Sequence, residues 1–471
     1  MQILYELLRL ATLFLKRGPN RIGGLYKKAV YRHYTDGTYS TEIPKPPWLG
    51  FLGPILRAEV GDVIVIHLKN FASRPYSLHP HGVFYNKDSE GALYPDGTSG
   101  RNKNDDMVPP GNNYTYIWPV REEYAPAPAD ANCLTWVYHS HIDAPKDICS
   151  GLIGPLLVCK EGVLNKYSGT RTDVDREFVI MFTLVDENQS WYLDENIRHF
   201  CTDPDSVDKK DAVFQRSNKM HALNGYLFGN LPEPEMCVGE SVSWHLYGMG
   251  NEIDIHSIYF YGNTFISRGH RTDVINLFPA TFLTTEMVVE NPGKWMITCQ
   301  VSDHLQGIFR LFCSTMHHFA RGMNQIYEVS SCGNKDPSEQ PYGMIRTFYI
   351  AAEEVEWDYA PNKNWEFEKQ HLDSGRERYG DIFMNHTENW IGSQYRKVIY
   401  REYTDGEFVE IKARPPREKH LELLGPMVHA EVGDSILIIF KNKAKRPYSI
   451  SAHGIEDMES GKQLQASVTK P

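Results

Sequence analysis

Short runs of apolar and β-branched residues recur along the chain, and clusters of Gly, Pro, Asn and Asp separate them. Two typical runs are Val63–Ile66 and Ser435–Phe440. Runs of this length and composition are favoured in β-strands, and the clusters between them are typical of turns. The pattern predicts an all-β protein built from β-sandwiches.

Two apolar runs end in His-x-His pairs, His79-Pro-His81 and His139-Ser-His141. Residues two apart on a strand face the same side, so each pair directs two imidazoles to one place. Four converging imidazoles indicate a metal site. Imidazole binds copper, zinc and iron, so the residue type alone does not choose the metal.

A second set of metal-binding residues lies further along the chain. His256, Cys299 and His304 supply two imidazoles and a thiolate. Copper electron-transfer sites use this ligand set, often with a weak axial thioether. A lone histidine is more often a surface or core residue, but two His-x-His pairs together with this set predict a copper oxidase.

Composition narrows the function and the compartment. The 471 residues have room for about three domains. A net charge of -11 and the lack of a basic cluster exclude a nucleic-acid-binding role. Eight cysteines favour an oxidising compartment. The sequons at Asn113, Asn188 and Asn385 are candidate glycosylation sites.

The N-terminal apolar stretch, Ile3–Leu15, contains Glu6 and Arg9 and lacks a small-residue cleavage site. It is also too short to span a bilayer. We therefore predict neither a clear signal peptide nor a transmembrane helix.

The chain repeats itself over long range. Residues 20–37 return in similar form as 389–406, and residues 53–62 return as 425–434. Repeats of this length are whole domains. The second copy has Ser451-Ala-His453 in place of the first His-x-His pair, and the sequence ends before an equivalent of the second pair. We expect the last domain to be incomplete and metal-free.

Several motifs resemble the ceruloplasmin–hephaestin family of multicopper ferroxidases. They lie at residues 79–83, 136–146, 150–155, 220–225 and 250–256. The resemblance covers nearly the whole chain and implies tandem cupredoxin (plastocyanin-like) Greek-key sandwiches. Its domains would be 1–163, 164–333 and a partial domain at 340–471 that resembles the family's fifth.

The resemblance implies ferroxidase activity, with Fe(II) and O2 as substrates and copper as the cofactor. A type 1 copper takes electrons from iron, and a trinuclear cluster passes them to oxygen, which becomes water. His79 would bind the type 2 copper, and His81, His139 and His141 the type 3 pair. The other cluster ligands belong to the family's sixth domain. The second domain cannot replace them, because Tyr259, Tyr261, Thr298 and Gln300 occupy the positions that would need histidine.

The type 1 ligands have two candidate loops, because Cys299 and His304 are followed by Cys313, His318 and Met323. One cupredoxin domain needs one such loop. We predict an exon-skipped transcript with a junction near residues 306–307, and a natural insertion is the alternative. For the copper site the second loop is preferred, because its full Cys-x4-His-x4-Met set precedes a predicted closing strand at 325–329. The first loop, with Phe309 as a non-ligand at the axial position, remains the alternative.

The resemblance also suggests secondary sites. Glu252 resembles an iron-holding carboxylate and is grouped with Cys299 and His304 as catalytic. The Lys87 carbonyl, Asn102, Asp105 and Asp106 resemble a calcium loop, although Asp105-Asp106 could equally be a solvated turn. Disulfides are implied between Cys133 and Cys159 and between Cys237 and Cys332. Cys149 and Cys201 have no assigned partner.

Two other functions compete with a ferroxidase. A non-catalytic copper-binding fragment is the main alternative, because another chain would have to supply the missing half of the cluster. A structural cofactor, similar to the homologous domains of coagulation factors five and eight, is disfavoured by the intact metal ligands. The resemblance further implies an extracellular or cell-surface location and an iron exporter or other cell-surface protein as a possible partner.

Overall fold

The computed structural model describes residues 11–232, 234–250, 255–299, 323–332, 343–362 and 381–455. The chain forms two compact units, Met1–Pro337 with His453–Gly461, and Ser338–Ala452 with Lys462–Pro471. Both are built from β-sheets, which confirms the all-β class. The finer division into domains at 1–163, 164–333 and 340–471 stays a prediction. Within the described ranges, none of the helices combines the length and apolar character needed to span a bilayer.

The first part of the first unit has two sheets. One has the strand order β1-β6-β5-β3, and the other pairs two strands, β2 and β4. Aromatic and aliphatic side chains such as Trp118, Tyr138 and Leu156 fill the core between them. Burying one large apolar side chain contributes roughly 1.5–3 kcal/mol. The strands are β1 (Leu56–Glu59), β2 (Val63–Lys69), β3 (His79–Pro80), β4 (Asn113–Pro119), β5 (Cys133–His139) and β6 (Ile153–Cys159); short helix α1 (Ala144–Cys149) joins β5 to β6.

The second part of this unit is a sandwich of two larger sheets, ordered β13-β12-β15-β10-β7-β8 and β14-β11-β16-β17-β9. The predicted strand at 325–329 is confirmed within β17. The strands are β7 (Arg176–Asp186), β8 (Lys219–Leu223), β9 (Glu235–Cys237), β10 (Ser241–Met249), β11 (His256–Phe260), β12 (Phe265–Ser267), β13 (His270–Thr272), β14 (Val274–Leu277), β15 (Thr281–Val288), β16 (Gly293–Cys299) and β17 (Asn324–Ser330); helices α2 (Leu193–Phe200) and α3 (Ala212–Ser217) lie between β7 and β8.

Strand β10 is covered on both faces. Trp244 and Leu246 point into the core of its own sandwich. Tyr247 packs with Val137 and Ile153 of the first sheet system. Successive side chains of a strand point to opposite faces, so both sets are removed from solvent here. This explains why only Ser241 of the whole strand escapes full burial.

The disulfide pairs implied by the resemblance are present, Cys133–Cys159 across neighbouring strands and Cys237–Cys332 near the end of the sandwich. Each loop that they close restricts the unfolded chain and so stabilises the fold. Cys149 and Cys201 are buried thiols outside any disulfide.

The second unit contains one three-stranded sheet, with β18 (Ile345–Asp358) between β19 (Gln394–Tyr403) and β20 (Ser435–Asn442). A helical turn, α4 (Asp381–Met384), precedes β19. The apolar run at 435–440 is confirmed as part of β20. β18 pairs in parallel with β20 and antiparallel with β19, as β7 does with β10 and β8.

Candidate metal centre

The two His-x-His pairs lie side by side because their strands are neighbours in one sheet. β3 runs antiparallel to β5, and His79 stands opposite His139 in the register. The backbone N–H of His81 donates to the Val137 carbonyl at 2.9 Å. The pairing therefore brings together four imidazoles that the sequence separates.

The four rings form a compact cluster. His79 lies 5.3 Å from His81, 5.6 Å from His139 and 5.0 Å from His141, measured between ring centroids. The Nε2 atoms of His81 and His139 are 3.2 Å apart. Two nitrogens bound to one metal ion at about 2.0 Å lie about 3 Å apart. This pair therefore has the spacing of two ligands to the same ion.

The cluster is partly buried, with His139 the most buried ring, and burial changes its protonation. Burial lowers the pKa of His81 to about 4 and that of His139 to about 3. Burial also lowers the pKa of His79. These imidazoles are neutral at neutral pH, which is the state that binds a metal.

Hydrogen bonds fix the orientation of two rings. His79 Nδ1 donates to the Glu90 carbonyl at 2.6 Å, and His139 Nδ1 donates to the Ser140 carbonyl at 2.9 Å. A proton on Nδ1 leaves the Nε2 lone pair available to a metal. Both bonds therefore select the tautomer that a ligand requires.

The sequence did not identify the polar groups that support these histidines. Ser77, Ser140 and Asp147 are all buried around the loop that carries His139 and His141. Ser140 Oγ donates to Asp147 Oδ2 at 2.8 Å and accepts from the Ser77 N–H at 3.1 Å. The position of Ser140 between two predicted ligands was the one available signal.

No three His, Cys, Asp or Glu side chains are placed to hold a single metal ion, as far as the described ranges extend. The four histidines are therefore not a closed mononuclear site. The close pair, His81 and His139, could give one ion two ligands, and further ligands would have to come from elsewhere. This is the arrangement expected of one half of a multinuclear site.

A second potential metal site combines a thiol and an imidazole. β11 and β16 are paired with Ile258 opposite Cys299, and this places Cys299 Sγ 3.7 Å from His256 Nδ1. Both side chains are buried. Metal–nitrogen and metal–sulfur bonds of about 2.0 and 2.3 Å at about 120° give this same separation. The pair therefore fits the geometry of two ligands to one copper.

Several predicted site residues lie outside the described residues. These are Glu252, His304, Cys313 and His318, together with the predicted junction at 306–307 and Phe309. Met323 is described and is buried in the same core cluster as Cys299. Its carbonyl accepts from the Cys299 N–H at 3.4 Å. Of the two candidate loops, only Cys299 is thus seen beside His256.

The predicted calcium loop is compact and acidic. Asp105 and Asp106 are buried, and the Oδ1 atom of each has no hydrogen-bond partner among the described residues. Asp105 Oδ2 accepts from the Gly91 N–H at 2.8 Å, and Lys103 Nζ lies 2.7 Å from Asp106 Oδ2. Burial raises the pKa of Asp105. The two unbonded oxygens are suitable ligands for a hard cation.

Comparisons with known proteins agree with this donor chemistry. The family model described as multicopper oxidase matches residues 50–162. The human protein named Ferroxidase HEPHL1 is 51% identical over 802 residues, which cover 98% of this chain and 69% of that protein. Hephaestin of Rattus norvegicus is 52% identical over 447 residues, covering 94% of this chain and 37% of that protein. Ceruloplasmin of Homo sapiens is 47% identical over 446 residues, covering 94% of this chain and 40% of that protein. This chain therefore belongs to the multicopper oxidase family.

Proposed function

We propose that this chain is a ferroxidase-type multicopper oxidase, which oxidises Fe(II) to Fe(III) and passes the electrons to O2. The cluster of four imidazoles carries the proposal, above all the 3.2 Å separation between His81 Nε2 and His139 Nε2. The related protein named as a ferroxidase supports the choice of iron. Bound copper would supply the one-electron chemistry, and the protein supplies ligands and their orientation.

In this proposal the four histidines of the first sheet system hold half of a trinuclear centre. His79 would bind the type 2 copper, and His81, His139 and His141 the type 3 pair. The protonated Nδ1 atoms of His79 and His139 direct Nε2 toward the metal. The remaining ligands would come from a further domain, on this or another chain.

The type 1 copper would bind in the second sandwich. The 3.7 Å contact between Cys299 and His256 supports the first of the two loops, with His304 as the next ligand. The sequence preferred Cys313, His318 and Met323, and that alternative is kept as the competing assignment. Glu252 would hold the incoming iron ion.

An exon-skipped transcript would explain the two successive loops. The alignment with the human relative runs over 802 residues, whereas this chain has 471. Because the aligned span exceeds the chain, the relative has a long internal stretch with no counterpart here. This supports a skipped segment, and the two successive loops lead us to propose its junction near residues 306–307. An exon boundary at that codon is the expected result, and an uninterrupted exon there would favour the natural insertion.

Calcium is the second proposed metal. The unbonded Oδ1 atoms of Asp105 and Asp106 support a cation at this loop, with the Lys87 carbonyl and Asn102 as further ligands. Chelation of calcium should lower the thermal unfolding temperature of the chain. The variant D105N/D106N should remove this difference, because its amides bind calcium weakly.

The proposed setting is the extracellular or cell-surface space. Two disulfides and exposed sequons at Asn113 and Asn385 support passage through the secretory pathway. A cell-surface iron exporter would be the source of Fe(II).

The deciding experiment measures copper, colour and oxygen uptake on one sample. The copper-loaded chain is analysed for metal content and for visible absorption of a thiolate–copper bond, and then receives ferrous iron in an oxygen electrode. Oxygen uptake that His139→Ala abolishes without loss of colour would support the ferroxidase. A coloured chain that consumes no oxygen would instead identify a non-catalytic copper-binding protein.

A further inference from the structure

The buried carboxylate of Asp147 accepts four hydrogen bonds. Its Oδ2 atom accepts from Ser140 Oγ at 2.8 Å, from the Ile142 N–H at 3.0 Å and from the Asp143 N–H at 3.2 Å. Its Oδ1 atom accepts from Trp191 Nε1 at 2.8 Å. Asp147 is only 1% exposed. All four groups that reach this side chain are donors. A carboxylate accepts at both oxygens, whereas one end of an amide donates, so a carboxylate suits the position better.

The bonds on Oδ2 hold the segment that carries two of the metal ligands. Ser140 lies between His139 and His141, and Ile142 follows directly. Ser140 Oγ also accepts from the Ser77 N–H, and Ser77 Oγ accepts from the His141 N–H at 3.0 Å. Ser77 lies two residues before His79. One carboxylate is therefore connected through two serines to both His-x-His pairs.

The bond on Oδ1 comes from a different part of the chain. Trp191 follows β7, 44 residues after Asp147. Its ring is flanked by the Arg74 guanidinium at 3.9 Å and the Lys146 ammonium at 4.6 Å, measured to the centroid. Its backbone N–H donates to Ser150 Oγ at 3.0 Å. The indole is thus held in place independently of Asp147.

We propose that Asp147, itself held by Trp191, is a positioning residue for the copper ligands His139 and His141. It does not touch the metal; it sets the path of the loop from which both imidazoles project. The proposal rests on the proposed function only for the identity of the metal. Supporting groups of this kind typically change metal affinity about 10–100-fold when they are removed.

Three variants separate this role from general stability. In D147N the amide presents N–H groups, so one end of the side chain must face a donor, either Trp191 or the Ser140–Asp143 loop. W191F removes the indole donor and keeps an aromatic ring. In D147N/W191F the amide nitrogen can point to the former indole position, and its oxygen can again accept from the loop. The double variant should therefore recover the loop order and the copper affinity that D147N loses.

The first readout needs no copper. Amide hydrogen exchange of residues 139–143 should be faster in D147N than in the parent chain and slow again in D147N/W191F. The second readout is copper affinity of the histidine cluster, measured by competition with a chelator in a Cys299→Ser/Cys313→Ser background so that copper at either candidate thiol does not contribute. D147N should lower this affinity about 10–100-fold, and D147N/W191F should restore it to the W191F value.

Unchanged exchange at 139–143 in D147N would overturn the proposal. So would exchange and copper affinity in the double variant that are no better than in D147N, because Asp147 would then act only on overall stability. If the Cys299→Ser/Cys313→Ser parent binds no copper at the cluster, the proposed function fails, while the exchange measurements still decide whether Asp147 positions the loop.

Discussion

His81 and His139 face each other through their Nε2 atoms at 3.2 Å, although 58 residues separate them in the chain. The contact arises because β3 and β5 are antiparallel neighbours, so that the start of β3 lies beside the end of β5. Two neutral imidazoles at this distance can bind the same metal ion. The protein thus holds part of a metal site through its sheet register.

We expect His139→Ala to remove copper from the cluster and to leave the Cys299 site loaded. The reason is that His139 is the most buried of the four histidines and its Nε2 lies 3.2 Å from that of His81. Copper content per chain and the visible spectrum check this. His33→Ala, at an exposed position, is the matched control and should change neither quantity. Full copper content in His139→Ala would contradict the ligand assignment.

Acid should weaken the contacts that Glu177 makes with His245 and Arg57. Burial alone would raise the pKa of Glu177, but His245 and Arg57 lower it to about 2. A carboxyl whose pKa is lower in the folded chain than in the unfolded chain stabilises the fold at pH values above the unfolded-state pKa. This stabilisation is lost as the pH falls from about 4.5 to about 2. The expected contribution is on the order of 3 kcal/mol at most.

Chemical unfolding of the copper-free chain at about pH 6 and about pH 3 tests this prediction. E177Q should be destabilised more at the higher pH, and its stability should fall less on acidification than that of the parent. E328Q, which alters a more exposed ion pair with Lys294, is the control and should follow the parent. Parallel pH curves for E177Q and the parent would show that this carboxyl does not titrate as described.

Substitution of the two candidate thiols should affect the visible absorption of the copper-loaded chain differently. Cys299→Ser should abolish the thiolate–copper absorption, because Cys299 lies 3.7 Å from His256 in the core. Cys313→Ser should retain it. The buried thiol Cys201 provides a control, since Cys201→Ser should also retain the band. The reverse result for the first two variants would assign copper to the second loop.

Glycans should occupy Asn113 and Asn385 and be absent from Asn188. Asn113 and Asn385 are exposed. Asn188 Nδ2 donates to Asp186 Oδ1 at 2.7 Å and to the Gln215 carbonyl at 2.8 Å. A glycan on that nitrogen would remove at least one of these bonds. Site-resolved mass spectrometry of the secreted chain measures occupancy, and a fully occupied Asn188 would contradict the prediction.

The strands and the histidine cluster could be predicted because both depend on local pattern. The apolar and β-branched run of β5 predicts a strand, and the two-residue spacing of His139 and His141 directs both rings to one side without any tertiary information. The sequence grouped Cys299 with His256 as one candidate set, but their contact depends on the register between β11 and β16, which residue types alone do not fix. In sequence, the axial position favoured the second loop, which has Met323 where the first has Phe309.

The supporting role of Asp147 was also invisible in the sequence. Two of its four donors are backbone N–H groups, which any residue except proline provides. Its indole donor, Trp191, lies 44 residues away. Such contacts leave no residue-type signature near the metal ligands, and only the fold reveals them.

The bond between Trp191 and Asp147 crosses the predicted boundary between the domains 1–163 and 164–333. A gene rearrangement that moved the first domain alone would leave the carboxylate without its indole donor, and one that moved both domains would keep the bond. A pair of domains is therefore the smallest module that carries Asp147 together with its indole donor. An exon-skipping event that removed domains in multiples of two would respect the same rule.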